Sequence, residues 1–280
     1  MAEMNKSIST DVQQTLDTAP SHLVSRLITI VVLVGMTIWG LSSIELGFNR
    51  SGFETALRIA RYLVNPGEYA ITTYITKANP AQSVPLLMLE TMMIAFIGTV
   101  LGAVLSIPIA FVSSKNIVGE RASIYGTTLI TMIRTFPVFI WALIFIIIEG
   151  GALAGVLAIA VSSIGMISKL FIEAIEDIDK GIIEALDSTG ATLLQKIRFG
   201  IIPQLTVNFL STTIYRFEIN VKNATLLGVV GAGGIGFLLT DATLNFNFDV
   251  VAVCLWGLIP TVIIIDAIST KIRNKLATGE

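Results

Sequence analysis

Long apolar stretches, separated by short polar ones, run through most of the chain. Six stand out: residues 27–46 (LITIVVLVGMTIWGLSSIEL), about 85–112, the apolar part of 123–148, about 152–172, about 201–221 and 250–268. A helix needs about 20 largely apolar residues to cross the hydrocarbon core of a bilayer, and each stretch reaches or approaches that length. Glu90 is the one charge in the second stretch, Arg134 and Pro137 break the third, and Pro260 interrupts the sixth. The first stretch is too long for a signal-peptide core and lacks a small-residue cleavage site, so it reads as a retained anchor. The pattern predicts an all-α polytopic membrane protein with five core spans and one N-terminal span. It divides the chain into a polar N-terminal segment (1–26), the N-terminal span (27–46), an external loop (47–84), the main membrane domain (85–268) and a tail (269–280).

Two of the polar intervals are themselves patterned. In FETALRIARYLVNP, Phe53, Leu57, Ala60, Tyr62, Leu63 and Val64 form an apolar face that ends at Pro66, which predicts an amphipathic helix lying on the membrane surface. In residues 176–204, Ile182, Ile183, Leu186, Leu193, Leu194 and Ile197 recur at helical spacing, with Gly190 between them. That predicts two short amphipathic helices with a bend at Gly190, the first capped by Asp179. From pattern alone this is either an interfacial connector or a docking element for another protein.

Composition sharpens the class. Of 280 residues, 54% are hydrophobic and 14% charged, against about 25% charged in soluble domains. The net charge of −2 comes without a basic stripe, which argues against a nucleic-acid partner. Cys254 is alone, which excludes an internal disulfide and a cysteine-cluster metal site, and His22 lacks neighbours to make it a ligand, so no metal site is expected. Lys6, Arg26, Lys115, Arg121, Lys169, Lys180, Lys196, Arg198, Lys271, Arg273 and Lys275 fall on one side of the membrane in this topology, and Arg50, Arg58, Arg61 and Lys77 on the other. The excess of basic residues predicts that both termini are cytoplasmic.

The run GVVGAGGIGFLL contains G-x-G-x-x-G at Gly231, Gly233 and Gly236. A dinucleotide site needs a strand before such glycines and a helix after them, inside a βαβ unit. Here they lie between two membrane spans on the external side, so close packing and positive φ are the expected uses of Gly228, Gly231, Gly233, Gly234 and Gly236. The chain contains no G-x-x-x-x-G-K-[ST], H-E-x-x-H or G-x-S-x-G sequence.

Ionisable residues at membrane depth face a cavity or a partner. Arg134 is expected at the boundary of a separate helix along the cytoplasmic interface, its side chain snorkelling outward, whereas a helix continuous through it would place it deep, where it needs a partner. Glu218 and Lys222, four apart, share a helix face and can pair; Arg216 points elsewhere. Two readings stand for this group. It is a structural ion pair with a snorkelling arginine, or Arg216 and Lys222, with donors from Asn220 and Asn223, line a pathway and attract an anion.

Residues 184–203 resemble the "EAA" loop of ABC importer permeases: Glu184-Ala185-Leu186, three residues, then Gly190, and later Ile202-Pro203. The family pattern is E-A-A, three residues, G, nine residues, I-x-L-P. Leu186 replaces the second Ala, and Gly200 and Ile202 stand for Ile and Leu. The resemblance extends over residues 90–111, 134–145 (RTFPVFIWALIF) and 215–239 (YRFEINVKNATLLGVVGAGGIGFLL); the last two are similar to the phosphonate-type branch. The resemblance implies a type I ABC importer permease fold. It implies that Glu184, Ala185, Leu186, Gly190 and Pro203 (coupling loop 176–203) form a coupling helix seated on a separate ABC ATPase dimer. ATP and Mg would bind that ATPase, and this chain would carry no cofactor and perform no bond-making chemistry. An extracytoplasmic solute-binding protein would deliver the cargo, phosphonate or a related oxyanion such as phosphate or phosphite. With one EAA pattern per chain, a second permease copy, as a homodimer, would complete the pathway, with Arg134, Arg216, Glu218, Asn220 and Lys222 as its candidate lining. The expected location is the bacterial cytoplasmic membrane. A permease for another small solute and an ion-coupled secondary transporter are the alternatives.

Overall fold

The computed structural model describes residues 23–43, 50–76 and 83–278. Most of the polar N-terminal segment, His22 included, lies outside the described residues, as do residues 44–49, at the junction of the expected N-terminal span and external loop, and residues 77–82 of that expected loop. The described residues are helical, with short turns between helices.

Two units are distinct, residues 1–54 and 55–280. The first contains α1 (Leu23–Ser43), whose Val31, Met36 and Trp39 are exposed. Twenty of its residues form an apolar span none of which is buried in the protein. Such a surface is stable only against lipid. Its start lies before residue 27, because Val24 and Leu27 continue the apolar surface across Arg26.

The second unit takes in most of α2 (Arg50–Val64) and then α3 (Glu68–Ile71) with a π turn over Thr72–Thr76. The bundle follows: α4 (Val84–Ser113), α5 (Lys115–Val118), α6 (Glu120–Thr135), α7 (Val138–Ile148) and α8 (Ala152–Glu176). A loop of α9 (Lys180–Ser188) and α10 (Leu193–Lys196) leads through a π turn into α11 (Ile202–Leu227). A glycine turn, α12 (Ile235–Leu244) and α13 (Phe248–Thr278) complete the chain. The amphipathic helix expected after residue 53 is α2. It leaves Phe53, Leu57 and Val64 exposed, while its end is tied to α13. There the Trp256 indole donates to the Leu63 carbonyl at 2.8 Å and the Gly67 amide donates to Asp249 at 3.1 Å.

Small residues allow α4 and α8 to lie side by side in parallel. A Cβ at Gly98 would stand 2.7 Å from Ile159, and one at Gly102 2.6 Å from Ser163. With lipid on the outside there is little hydrophobic drive between spans, so close approach of this kind supplies the dispersion contacts. The chain returns between them by α6 and α7, and α11 fills the remaining flank. Phe171 of α8 and Phe209 of α11 stack 3.9 Å apart at one end of the bundle, with Ile130 and Ile175 around them. Ile94, Ile159, Val221 and Leu227 pack in the middle.

The third apolar stretch is broken, as Arg134 and Pro137 predicted: α6 and α7 meet at 82°. Phe136, forced by Pro137 into an extended conformation (φ −89°, ψ 124°), ends the helix. Pro260, expected to interrupt the sixth span, lies inside a continuous α13. That helix also runs to Thr278, past the end at Ile268, because Ile265, Ser269 and Arg273 keep one face against the bundle. α11 likewise continues to Leu227 rather than Val221.

Candidate translocation site and coupling surface

α11 carries the buried side chains of Arg216, Glu218 and Asn220 through the centre of the bundle. Arg216 and Asn220, four apart, share the face toward α8 and α4. Asn220 Nδ2 donates to Thr99 and Ser163, each at 2.8 Å, and Arg216 Nη2 donates to Ser162 at 3.0 Å. The Arg216 Nε has no hydrogen-bond partner. Because Ser162 and Ser163 sit near the middle of the 25-residue α8, a helix about 37 Å long, the cluster lies far from both of its ends.

Glu218 faces the other way. Lys222 Nζ approaches one of its oxygens at 3.2 Å, as the spacing predicted, and Arg273 Nη2 approaches the other at 3.4 Å. Arg273, counted from the sequence as part of the cytoplasmic tail, instead closes this ion-pair triad from α13 and covers the Tyr215 ring at 5.1 Å. The readable signal was the helical spacing of Ile265, Ser269 and Arg273; the end of the apolar run hid it. Ser162, Ser163 and Thr99 were also missed, since lone hydroxyls in apolar helices carry no pattern of their own.

Arg134 is at the last turn of α6, as a separate helix requires, but that helix does not lie flat under the bundle. It packs antiparallel on α8, with Ile130 buried among Phe171 and Ile175. Arg134 ends beside Gly165, near mid-α8, where a Cβ would stand 2.8 Å from its Cγ. Arg134 is exposed in the single chain. The boundary position expected for it is therefore replaced by a mid-bundle one, because α6 buries its apolar face against α8.

The glycine run makes a turn that cannot accept side chains. Gly231, Gly233 and Gly234 have φ of 85°, 83° and 71°, the left-handed region that glycine tolerates. Gly228 and Gly236 cross at backbone distance: a Cβ at Gly228 would stand 2.5 Å from the Gly236 Cα. The turn aims the start of α12 at α4, where the Gly234 amide donates to Glu90 at 3.2 Å and the Ile235 amide donates to Thr91 at 2.9 Å. Two side chains of a distant helix thus cap α12. Glu90, a lone acid in the second apolar stretch, has its explanation here.

The loop of α9 and α10 forms as the pattern predicted. Asp179 accepts from the Gly181 amide at 2.8 Å, and Thr192 with Gln195 makes a capping box at α10. Gly190 turns the chain with φ 74°, and Lys196 pairs with Asp187. Glu184 and Ala185 are exposed, as are the larger apolar Ile182, Leu193, Leu194 and Phe199. Leu186 turns inward onto Gly200, where a Cβ would stand 2.8 Å from its Cδ1. Two departures from the EAA pattern, a larger residue at 186 and a smaller one at 200, therefore meet and compensate. Pro203 opens α11, where its missing N–H is harmless.

A helical bundle with several membrane-spanning helices, a broken third span, a short helix set by a glycine turn at one end and an amphipathic hairpin at the other define a transport permease. Residues 98–277 match the family described as binding-protein-dependent transport system inner membrane component, and the chain belongs to it. It is 36% identical over 190 residues to the phosphite transport system permease protein PtxC of Stutzerimonas stutzeri, covering 67% of this chain and 69% of that protein. It is 39% identical over 166 residues to the phosphate-import permease protein PhnE of Mycolicibacterium smegmatis, covering 59% of this chain and 31% of that one. The fold matches a solved structure of the inward-facing MetNI methionine ABC transporter with a TM-score of 0.63 at 20% identity, over 71% of this chain and 99% of that one. As an inner-membrane permease subunit of this class, the chain works with a separate ATPase and a binding protein.

Proposed function

We propose that this chain forms the pathway of an ATP-driven importer for a phosphorus oxyanion: phosphonate, phosphite or phosphate. The observation that carries the cargo assignment is its likeness, at 36% and 39% identity, to permeases named for phosphite and phosphate. The residues Arg134, Arg216, Glu218, Asn220 and Lys222 are its candidate pathway, and their excess of cations over the one carboxylate suits an anionic cargo.

The exposed apolar side of α9 and α10, with Glu184, Ala185 and the bend at Gly190, seats on the ATPase, to which ATP and Mg bind; this chain holds no cofactor. Closure of the ATPase dimer moves this rigid hairpin, and the spans exchange between states open to either side. A second copy of the chain faces the first across the pathway, and both termini lie in the cytoplasm.

The test is the complex reconstituted in proteoliposomes with its ATPase and binding protein. Phosphite, phosphate or methylphosphonate should each be tried for stimulation of ATP hydrolysis and for uptake. Stimulation by at least one of them is expected, and a response confined to methionine or to quaternary amines would refute the cargo assignment.

A further inference from the structure

Arg134 and Arg216 come from distant parts of the chain and arrive at one flank of α8. Arg216 donates to Ser162 at 3.0 Å, and Arg134 lies against Gly165. Positions 162 and 165 are three apart and therefore neighbours on a helix surface. Gly165 carries no side chain, which lets the Arg134 backbone and Cγ lie directly against α8.

Neither arginine has a carboxylate partner among the described residues. Glu218 is turned to the opposite side of α11, where Lys222 and Arg273 hold both its oxygens. Asn220 is equally committed, to Thr99 and Ser163. Arg216 is only 7% exposed and its Nε is unpaired. A buried guanidinium in apolar surroundings is costly without a counter-charge, and an ionisable group at membrane depth implies a partner. Arg134, next to the 82° break between α6 and α7, is exposed.

We propose that Arg216, Arg134 and Ser162 form a transit site for a tetrahedral oxyanion midway through the membrane. It rests on the phosphorus-oxyanion reading above and narrows it to these three side chains. Arg216 presents its free Nε–H and a neighbouring N–H as a fork to two oxygens of the anion. The Ser162 hydroxyl, which accepts from Arg216, keeps its own proton for a third oxygen. Arg134 closes from the other side, and its exposure lets it release the anion when the bundle changes state. Glu218 is the anion that keeps Lys222 and Arg273 occupied, so the cargo meets two arginines rather than four cations and is not trapped.

The experiment measures initial uptake of radiolabelled phosphite and phosphate by the full complex in proteoliposomes, for wild type, R134Q, R216Q and R216K. Each preparation is checked for its complement of ATPase and permease chains. Both Gln variants should transport about tenfold more slowly or worse with the complex intact, since each removes a charged hydrogen-bond pair to the cargo. R216K should fall between R216Q and wild type, because it keeps the charge and loses the fork. Wild-type uptake by R134Q and R216Q would overturn the site while leaving the cargo assignment standing. Loss of the ATPase or of a second permease chain from the Gln variants would make these arginines assembly contacts and overturn it as well. Failure of the wild-type complex to take up any phosphorus oxyanion would remove the cargo assignment, and the site with it.

Discussion

A Cβ placed on Gly236 would run into the Thr225 carbonyl oxygen and the facing Gly228. Backbone on both sides leaves nothing flexible to yield, so Gly236→Ala should destabilise the protein by about 1–3 kcal/mol, read as a lower Tm in detergent. The Leu186–Gly200 contact allows a sharper test. Gly200→Ile alone should clash with Leu186, and the double change with Leu186→Ala should recover stability, giving a coupling of about 1–2 kcal/mol in a double-mutant cycle; additive effects would show that the two positions do not compensate. The residue scale is also where sequence reading divides most clearly. The i,i+4 pair of Glu218 and Lys222 and the Asp179 cap were legible, because helix geometry alone brings their groups together. Arg273 against Glu218, or Thr91 against the Ile235 amide, needed a crossing between helices that no local spacing encodes.

Elements repeat that division. α9 and α10 announce themselves by apolar periodicity, an N-cap and a glycine bend, and they form where expected. α6 was legible as a helix ending near Pro137, yet its direction was not: burying Ile130 among Phe171 and Ile175 tilts it onto α8 and carries Arg134 to mid-bundle. Two predictions belong here. Thr91→Val keeps the shape of the side chain but removes the acceptor for the first amide of α12. The cost should be about 1 kcal/mol, seen as faster hydrogen exchange at α12 than in the rest of the bundle; equal protection in both proteins would show that the cap carries no weight. Glu184→Arg or Gly190→Trp should release the ATPase in a pull-down, the first by reversing charge on an exposed face and the second by placing a bulky residue where φ is 74°. Full ATPase retention by both would count against a coupling role for this hairpin.

For the whole molecule, the question is what meets the cations that one chain leaves without a carboxylate partner among the described residues. Arg134 is exposed at mid-bundle and Arg216 lacks a counter-charge, and both fit a pathway completed by a second copy. Native mass measurement of the purified complex should therefore give two permease chains per ATPase dimer, and a single chain would overturn the homodimer. The same mass action applies to stability: binding of the ATPase to the folded hairpin should raise the apparent Tm of the complex above that of the isolated permease.

Spans, the amphipathic hairpin and the family were written in apolar periodicity and in a few caps and glycines, because burial in lipid and helix geometry act over twenty residues or fewer. Where the charges meet was settled by packing. The length of α13 and the flank of α8 onto which two arginines converge depend on which helix faces bury against which, and that information is spread over partners far apart in the chain.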